Sequence, residues 1–338
     1  MRTVAVLGAG SWGTALAVHL GRLEHDVRLW ARDAHLASEL LARRANPVYL
    51  PDVVLPPRVL PTPSLAEALE GAELVVSAIP SHGTRDTLRA ARPHLPPGTV
   101  IVSTAKGIEE ESLRRVSEVI AEECGPRHPV AVLSGPSFAP EVARELPTAV
   151  LVASTDPTVV PLVQHEFRGP YFRLYGSDDV VGVEIGGALK NVIAIAAGVV
   201  DGLGLGHNAL AALITRGLAE ISRLSAALGG RRETLAGLGG LGDLVLTCTG
   251  GPSRNRHVGV ELGRGRRLPD ILAGMKMVAE GVRTTHAALA LGARCGVELP
   301  ITQQMDEVLS GRKSPRAAVT DLMLRPQRPE QDETLPPG

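Results

Sequence analysis

Short apolar runs alternate with amphipathic segments along the first half of the chain. Apolar and β-branched runs predict buried strands at 3–7, 26–30, 73–78, 99–103, 130–134 and 149–153. Apolar residues at helical spacing fill most of the intervening segments, beginning with 11–24. Strands that alternate with helices favour a doubly wound, mainly parallel sheet, so the predicted fold class is α/β with a Rossmann-type N-terminal part.

The pattern changes after Tyr175 and Gly176. From there the spacing is helical, with predicted helices at 178–200, 208–228, 232–238, 256–263, 268–273, 281–295 and 301–310. We therefore expect two domains, a sheet-containing one over 1–177 and an all-α one over 178–324. The remaining segment, 325–338, is polar and rich in proline, which is typical of a disordered tail.

Composition narrows the classes of function. The 338 residues carry 35 basic and 36 acidic side chains, which disfavours nucleic acid or an anionic membrane as a general partner. No uninterrupted apolar run reaches the roughly 20 residues of a membrane span, and the N-terminus lacks the apolar stretch of a signal peptide. The three cysteines lie far apart, without the spacing of a zinc site or a disulfide framework. We expect a cytoplasmic protein without a bound metal.

A G-x-G-x-x-G motif, Gly8 to Gly13, follows the first predicted strand and opens the first predicted helix. The first glycine permits a tight turn, Gly10 lets the backbone approach a pyrophosphate, and the third allows close packing of helix against strand. The helix N-terminus offers free N–H groups to phosphate. The motif in this setting predicts a dinucleotide site, with an ordinary glycine turn as the alternative.

The end of the second predicted strand bears on which dinucleotide binds. An acidic residue about 20 positions after the glycine turn would bind the ribose of NAD. Here Arg32 follows instead, and its guanidinium can pair with the 2′-phosphate of NADP. Asp33 could still accept from a ribose hydroxyl or cap the next helix. The sequence favours NADPH and leaves NADH possible, while a solvated surface charge is the alternative for Arg32.

The segment 182–200 is almost wholly apolar or small, yet it carries Lys190 and Asn191 in its middle. Gly186 and Gly187 lie at helical neighbour positions of Lys190, so their face could leave room for a substrate. Burial lowers the pKa of a lysine towards the range in which it exchanges a proton with a substrate. The alternative is a lysine whose ammonium reaches the edge of the helix.

Eight motifs occur in order along the chain. They are GAGSWGTALA at 8–17, NPVYLP at 46–51, KGIE at 106–109, SGPSFAPEV at 134–142, GVEIGGALKNVIAIAAG at 182–198, GLGDLVLTCTG at 240–250, SRNRHVG at 253–259 and VAEGVRTT at 278–285. Together they resemble the bacterial-type NAD(P)-dependent glycerol-3-phosphate dehydrogenases, over nearly the whole chain except the last dozen or so residues. The resemblance implies reversible reduction of dihydroxyacetone phosphate to sn-glycerol 3-phosphate, a precursor of glycerophospholipids, by a homodimer.

The same resemblance implies roles for individual residues. Lys190 would be the general acid and base, with Asn191 orienting the substrate or the lysine. Asp243 would tune Lys190 or bind a substrate hydroxyl, with Thr247 as a further hydrogen-bonding partner. A helix N-cap is the plainer interpretation of Asp243, and both roles are compatible.

The resemblance also implies two sets of ligand contacts. The implied substrate contacts are Lys106, Gly135, Ser137, Lys190, Asp243, Ser253, Arg254 and Asn255. The implied cofactor contacts are Gly8, Gly10, Ser11, Trp12, Gly13, Arg32, Tyr49, Lys106, Ala139, Arg254, Val278 and Glu280. A hydroxyl, a guanidinium and an amide in consecutive positions, as in Ser253 to Asn255, suit a phosphate dianion.

Two rival functions remain open on the sequence. Related dehydrogenases with a helical second domain act on sugar acids, hydroxyacyl thioesters and ketopantoate, and the fold alone does not choose among them. A redox sensor would bind the dinucleotide without turnover, but it has no need for a lysine among apolar neighbours. The Ser253 to Asn255 cluster and Lys190 together favour a dehydrogenase of a phosphorylated substrate.

Overall fold

The protein is described by a computed structural model over residues 1–275, 277–327, 329 and 330. Of the predicted disordered tail, Arg328 and residues 331–338 lie outside the described residues. Residues 325–327, 329 and 330 form no helix or strand.

One large sheet dominates the first part of the chain. The strands of the described residues are β1 (Thr3–Leu7), β2 (Asp26–Trp30), β3 (Ala45–Asn46), β4 (Leu50–Val54), β5 (Val59–Thr62), β6 (Leu74–Ser77), β7 (Val100–Ser103), β8 (Val130–Ser134), β9 (Thr148–Ala153) and β10 (Phe172–Ser177). Eight of them form a sheet in the order β10-β9-β8-β7-β6-β1-β2-β5, and β3 pairs with β4. Neighbours in the large sheet are parallel except β8 and β9.

Helices flank this sheet and make up the second part of the chain. Those of the first part are α1 (Ser11–Arg22), α2 (Ala34–Arg43), α3 (Leu65–Leu69), α4 (Ser81–Ala91), α5 (Val116–Cys124), α6 (Ala139–Ala143) and α7 (Val159–Phe167). Those that follow are α8 (Val180–Gly202), α9 (Gly206–Ala227), α10 (Arg232–Ala236), α11 (Asp243–Thr249), α12 (Arg254–Gly263), α13 (Leu268–Ala273), α14 (Glu280–Cys295), α15 (Pro300–Leu309) and α16 (Pro315–Met323). A π-helical turn, Leu238–Gly242, leads into α11.

The predicted α/β class with a helical second part is confirmed, and all six predicted strands are present with ends shifted by at most one residue. The predicted boundary at residue 177 falls between β10 and α8. The sequence interpretation missed β5 and β10 at the two edges of the sheet. β5 contains Pro61, and β10 alternates buried with exposed residues, so neither shows the continuous apolar run of a central strand.

Helix α8 is the central element of the helical part. By length and composition it could cross a membrane, with a mean hydropathy of 1.6, but 94% of that stretch is buried inside the protein. The helices α9, α11, α12 and α14 pack around it. A helix that is apolar on all sides is typical of the core of a large domain, and α8 occupies that position.

Glycines bring α12 unusually close to α8. Gly198 and Gly202 of α8 face Gly259 and Gly263 of α12, each pair four residues apart. A Cβ on Gly263 would lie 2.9 Å from the carbonyl oxygen of Val199, and one on Gly259 would overlap the carbonyl of Ile195. Side chains at these positions would push the helices apart. The glycines therefore bring the second half of α12 against the C-terminal end of α8.

A buried carboxylate joins α8 to the sheet-containing part. Glu184 accepts hydrogen bonds from the Ser117 backbone N–H (2.8 Å), the Ser117 hydroxyl (2.6 Å) and the Arg115 guanidinium (2.7 Å) at the start of α5. Burial raises the pKa of Glu184, while Arg115 and Ser117 oppose the rise by stabilising its charge. The contact ties the helical part to a helix that packs against the sheet.

We predict that Glu184→Leu destabilises the protein by about 3 kcal/mol, because it removes the buried carboxylate that binds the Arg115 guanidinium and the Ser117 backbone N–H. Urea unfolding followed by circular dichroism measures the change. Arg267→Ala is the control, since its ion pair with Asp270 is 81% and 52% exposed and contributes less than about 1 kcal/mol. Equal effects of the two substitutions would contradict the prediction.

Candidate active site

The glycine turn lies at the carboxyl edge of the sheet, between β1 and α1. Gly8 has φ of +112°, and a Cβ there would lie 2.8 Å from the carbonyl oxygen of Ala78. A Cβ on Gly13 would overlap the carbonyl of Gly8, so this glycine lets α1 pack onto the turn. Among the described residues, no atom lies within 4 Å of a Cβ built on Gly10, and no side chain caps α1. The turn therefore has open backbone and uncapped N–H groups, which fit the pyrophosphate of a dinucleotide.

Asn46, which the sequence interpretation did not single out, attaches the NPVYLP segment to this turn. Its fully buried amide donates to the carbonyl oxygen of Ala9 (2.9 Å) and the hydroxyl of Thr14 (2.8 Å). Its oxygen accepts from the backbone N–H of Tyr49 at 3.0 Å, and the Ser11 hydroxyl donates to the Tyr49 carbonyl at 2.8 Å. Tyr49 is therefore held against the glycine turn. An asparagine directly before a proline was the available signal.

The segment before α14 reaches across from the helical part to the sheet. The sulfur of Met277 lies 3.1 Å from the Ser11 hydroxyl, and Val278 is 41% exposed. The carboxylate of Glu280 accepts from the backbone N–H of Ser81 at 2.9 Å, at the N-terminus of α4. Burial raises the pKa of Glu280, against the effect of the Ser81 hydrogen bond and of Arg254. Two of the predicted cofactor contacts, Val278 and Glu280, thus lie at the edge of the sheet.

Arg32 and Asp33 follow β2 at the same edge. Arg32 is exposed, and its side chain has no hydrogen bond or ion pair with any residue in the described ranges. Asp33 is the N-cap of α2, where it accepts from the His35 backbone N–H at 2.9 Å. The capping alternative for Asp33 is thus seen, and the guanidinium of Arg32 is free for an anion.

Two lysines meet on one buried carboxylate in the middle of the site. Lys106, just after β7, donates to Asp243 Oδ2 at 2.7 Å and to the carbonyl oxygen of Gly135 at 3.1 Å. Lys190, in the middle of α8, donates to Asp243 Oδ1 and to Thr247 Oγ1, the latter at 2.8 Å. Asp243 is 1% exposed. The arrangement places two positive charges on one buried negative charge, with Lys190 buried and Lys106 partly exposed.

Burial and neighbouring charges shift the pKa values of both Lys190 and Asp243. Burial lowers the pKa of Lys190 to about 7, the charge of Lys106 adds to that decrease, and Asp243 opposes it. Burial alone would raise the pKa of Asp243, but the two ammonium groups lower it below its usual value. Lys190 has two hydrogen-bond acceptors among the described residues, which leaves one of its three N–H bonds for a ligand. A lysine in this state can both donate and accept a proton near neutral pH.

The sequence predicted that the glycines beside Lys190 leave room for a substrate, but in the structure protein atoms fill this space. A Cβ on Gly186 would lie 2.6 Å from the carbonyl oxygen of Gly239 in the π-helical turn, so protein fills this side of α8. The turn packs there and leads directly to Asp243. Asp243 is the first residue of α11 rather than its N-cap, which is Gly242, and its carboxylate binds the lysines instead of capping.

The loop after β8 forms another wall of the site. Gly135 has φ of +123°, and its carbonyl oxygen accepts from Ser137 at 3.0 Å as well as from Lys106. Ala139, the first residue of α6, is buried. The Ser134 hydroxyl is buried and has no hydrogen-bond partner among the described residues. It would lie 2.9 Å from a Cβ on Gly187, close to Lys106, and the sequence interpretation missed it.

The start of α12 borders this wall. Ser253 caps the helix by accepting from the Arg256 backbone N–H at 3.2 Å. Arg254 is exposed, and its side chain has no hydrogen bond or ion pair with any residue that the structure describes. Asn255 donates to Asn191 Oδ1 at 3.0 Å. The structure thus brings Lys106, Lys190, Asn191, Asp243, Thr247 and Asn255 into one network, with Ser253 and Arg254 beside it.

A dinucleotide turn at the edge of a parallel sheet, opposite a buried lysine on a helical domain, defines a two-domain nicotinamide-dependent dehydrogenase. Comparisons with known proteins agree. Two family models match, described as the N-terminus and the C-terminus of NAD-dependent glycerol-3-phosphate dehydrogenase, over residues 3–160 and 179–320. The chain belongs to this family and is an NAD(P)-dependent oxidoreductase.

Individual relatives are similar over nearly their whole length. The chain is 57% identical over 334 residues to glycerol-3-phosphate dehydrogenase [NAD(P)+] of Koribacter versatilis, with 98% of this chain and 99% of the relative covered. The crystal structure of the Coxiella burnetii glycerol-3-phosphate dehydrogenase is 41% identical, with a TM-score of 0.93 over 96% of this chain and 99% of that chain. A ketopantoate reductase from Ralstonia eutropha, at 14% identity and a TM-score of 0.60 over 94% and 99% of the two chains, shares the fold alone.

We predict that Arg32→Ala weakens NADPH binding about 10-fold or more while NADH binding changes less than about twofold, because only NADPH carries the phosphate that would pair with the guanidinium. Dissociation constants measured by the fluorescence of each cofactor test this. Arg43→Ala, at an exposed position of α2, is the control and should change neither constant. Parallel losses for both cofactors would refute the role of Arg32.

Proposed function

We propose that the enzyme catalyses the reversible reduction of dihydroxyacetone phosphate to sn-glycerol 3-phosphate with NADPH or NADH. The observation that carries the proposal is the Lys190, Asp243 and Thr247 group at the edge of the sheet beside an open dinucleotide turn. Membership of the glycerol-3-phosphate dehydrogenase family supports the identity of the substrate. The product supplies the backbone of glycerophospholipids.

In this proposal Lys190 is the general acid and base. A bound nicotinamide supplies the hydride, and the protein supplies a proton to the developing alkoxide at the carbonyl oxygen. Lys190 donates that proton from the N–H that is not bonded within the described part of the chain, and its lowered pKa favours the transfer. Asp243 and Thr247 hold the ammonium in place, and Asn191 lies next to it on α8. In the reverse direction neutral Lys190 removes the proton of the alcohol.

The phosphate of the substrate is assigned to the start of α12. Arg254 has its whole guanidinium available for a dianion, and Ser253 keeps its O–H donor while its oxygen caps the helix. Asn255 keeps one N–H after bonding to Asn191. Further substrate contacts are proposed for Lys106, Gly135 and Ser137, which line the opposite wall.

The cofactor is assigned to the groove above the carboxyl edge of β1, β2 and β6. The glycine turn, Ser11 and Trp12 would hold the pyrophosphate, and Arg32 the 2′-phosphate, which makes NADPH the preferred cofactor. The remaining proposed cofactor contacts are Tyr49, Lys106, Ala139, Arg254, Val278 and Glu280.

The organisation of the protein is proposed on the same basis. Residues 1–177 would form the dinucleotide-binding domain and residues 178–324 the substrate domain. A homodimer is the default expectation for dehydrogenases of this architecture. Three unpaired cysteines, two of them buried, support a reducing, cytoplasmic location.

We predict rapid oxidation of NADPH with dihydroxyacetone phosphate and at least about 100-fold lower kcat/KM with dihydroxyacetone, because the sugar without its phosphate leaves Arg254 unpaired. Absorbance of NADPH at a fixed cofactor concentration follows both reactions. Equal rates with the two ketones would rule out the phosphate site, and turnover with ketopantoate in place of either would favour the related reductases.

We predict that kcat/KM for reduction is flat at acid pH and declines about tenfold per pH unit above an apparent pKa near 7. The protonated form of Lys190 is the acid, and it is lost as the pH rises through its pKa. Oxidation of glycerol 3-phosphate should show the opposite dependence, rising up to the same pKa. Lys190→Met should still bind NADPH but lose turnover by orders of magnitude; retained turnover would remove Lys190 from the mechanism.

A further inference from the structure

Two buried amides form a continuous chain of hydrogen bonds between the two parts of the protein. Asn191 on α8 donates through Nδ2 to the carbonyl oxygen of Lys106 at 3.0 Å. Asn255 on α12 donates through Nδ2 to Asn191 Oδ1 at 3.0 Å. The backbone N–H of Gly281, in the first turn of α14, donates to Asn255 Oδ1 at 3.0 Å. Both asparagines are less than a tenth exposed.

The two ends of this chain determine the direction of every bond in it. The Lys106 carbonyl can only accept, so the NH₂ group of Asn191 must face it. The Gly281 N–H can only donate, so the oxygen of Asn255 must face that end. Oxygen then meets NH₂ between the two amides, and turning either amide around would break two bonds. This series of hydrogen bonds therefore forms with only one orientation of the two side-chain amides.

Further contacts close the chain into a ring. Glu280, the residue before Gly281, accepts from the Ser81 backbone N–H at 2.9 Å. Gly107, the residue after Lys106, packs on the same serine so closely that a Cβ there would lie 2.9 Å from the Ser81 Cβ. The ring joins the loop after β7 and the start of α4 to α8, α12 and α14.

We propose that Asn191 and Asn255 act as a positioning relay that sets Lys106 and the N-terminus of α14 relative to each other. This assignment rests on the proposed function, because it connects a group proposed to contact substrate with one proposed to contact the cofactor. Each asparagine uses its oxygen and one N–H in the relay. A role of Asn255 as a substrate ligand is thus limited to its remaining N–H.

The relay also acts on the acid and base of the reaction through Lys106. The ammonium of Lys106 lies 2.7 Å from Asp243, whose other oxygen binds Lys190. A shift of the Lys106 backbone would carry its charge away from this carboxylate. Because the charge of Lys106 contributes to the low pKa of Lys190, that shift would raise the pKa.

The test is a double-mutant cycle with Asn191→Ala, Asn255→Ala and the double variant. NADPH dissociation constants are measured by fluorescence in the absence of substrate. Each single substitution breaks the relay and should weaken NADPH about 10-fold, and the double variant should lie within about threefold of the singles, because the bonds act in series. Unchanged NADPH binding with a raised KM for dihydroxyacetone phosphate would overturn the relay, and so would losses that multiply in the double variant.

The pH dependence of kcat/KM for reduction is the second measurement. Both single variants should move its apparent pKa to higher pH than the wild type, whereas loss of a simple substrate contact would leave it in place. Asn208→Asp, exposed on α9, is the control and should change neither quantity. If an alanine variant does not fold, Asn255→Ser replaces it, since serine is too short to bridge both partners. If the wild type fails to reduce dihydroxyacetone phosphate, the proposed function is wrong, while the NADPH cycle still decides the relay.

Discussion

The burial of Asp243 between two lysines is the interaction on which the site depends. An isolated ammonium inside α8 would cost several kcal/mol, and Asp243 offsets that cost for Lys190. Lys106 binds the other oxygen of Asp243, so the two lysines and the carboxylate together carry one net positive charge. Because the charge of Lys106 repels the ammonium of Lys190, Asp243 alone does not hold the proton on Lys190. A carboxylate shared by two ammonium groups thus keeps the lysine buried and yet able to exchange a proton. The rest of the fold serves to bring these three side chains together.

Each of the three comes from a different element, and backbone packing sets their distances. The π-helical turn delivers Asp243, and it fits against α8 because Gly186 has no side chain. Glycines on α8 and α12 remove the usual spacing between two helices and bring Asn255 within hydrogen-bonding distance of Asn191. Strand β7 ends three residues before Lys106, which places the Lys106 ammonium within hydrogen-bonding distance of Asp243. Small residues in this protein therefore serve the geometry of the site more than its open volume.

Much of the fold and part of the site could be predicted from the sequence, because periodicity and glycine motifs are local signals. The central strands, the dinucleotide turn and the singular position of Lys190 all appear within short windows. The direct hydrogen bonds of Lys106 with Asp243 and Asn191 could not be predicted, since each joins residues more than 80 positions apart. Gly186 was misinterpreted for the same reason, because only the fold shows that Gly239 fills the space beside it. Asn46 and Ser134 were missed because a single polar residue in a loop has no periodicity.

The partners of helix α8 bear on how the protein folds. Its buried polar side chains find their bonds at Ser117, Lys106 and Asp243, on segments that come both before and after it in the chain. Until those segments arrive, Glu184, Lys190 and Asn191 are unsatisfied, and the helix cannot reach its final burial. Contacts between distant parts of a chain form slowly and late. The two parts of the protein are thus expected to complete their structure in one cooperative step, because the central helix of the active site needs partners from both.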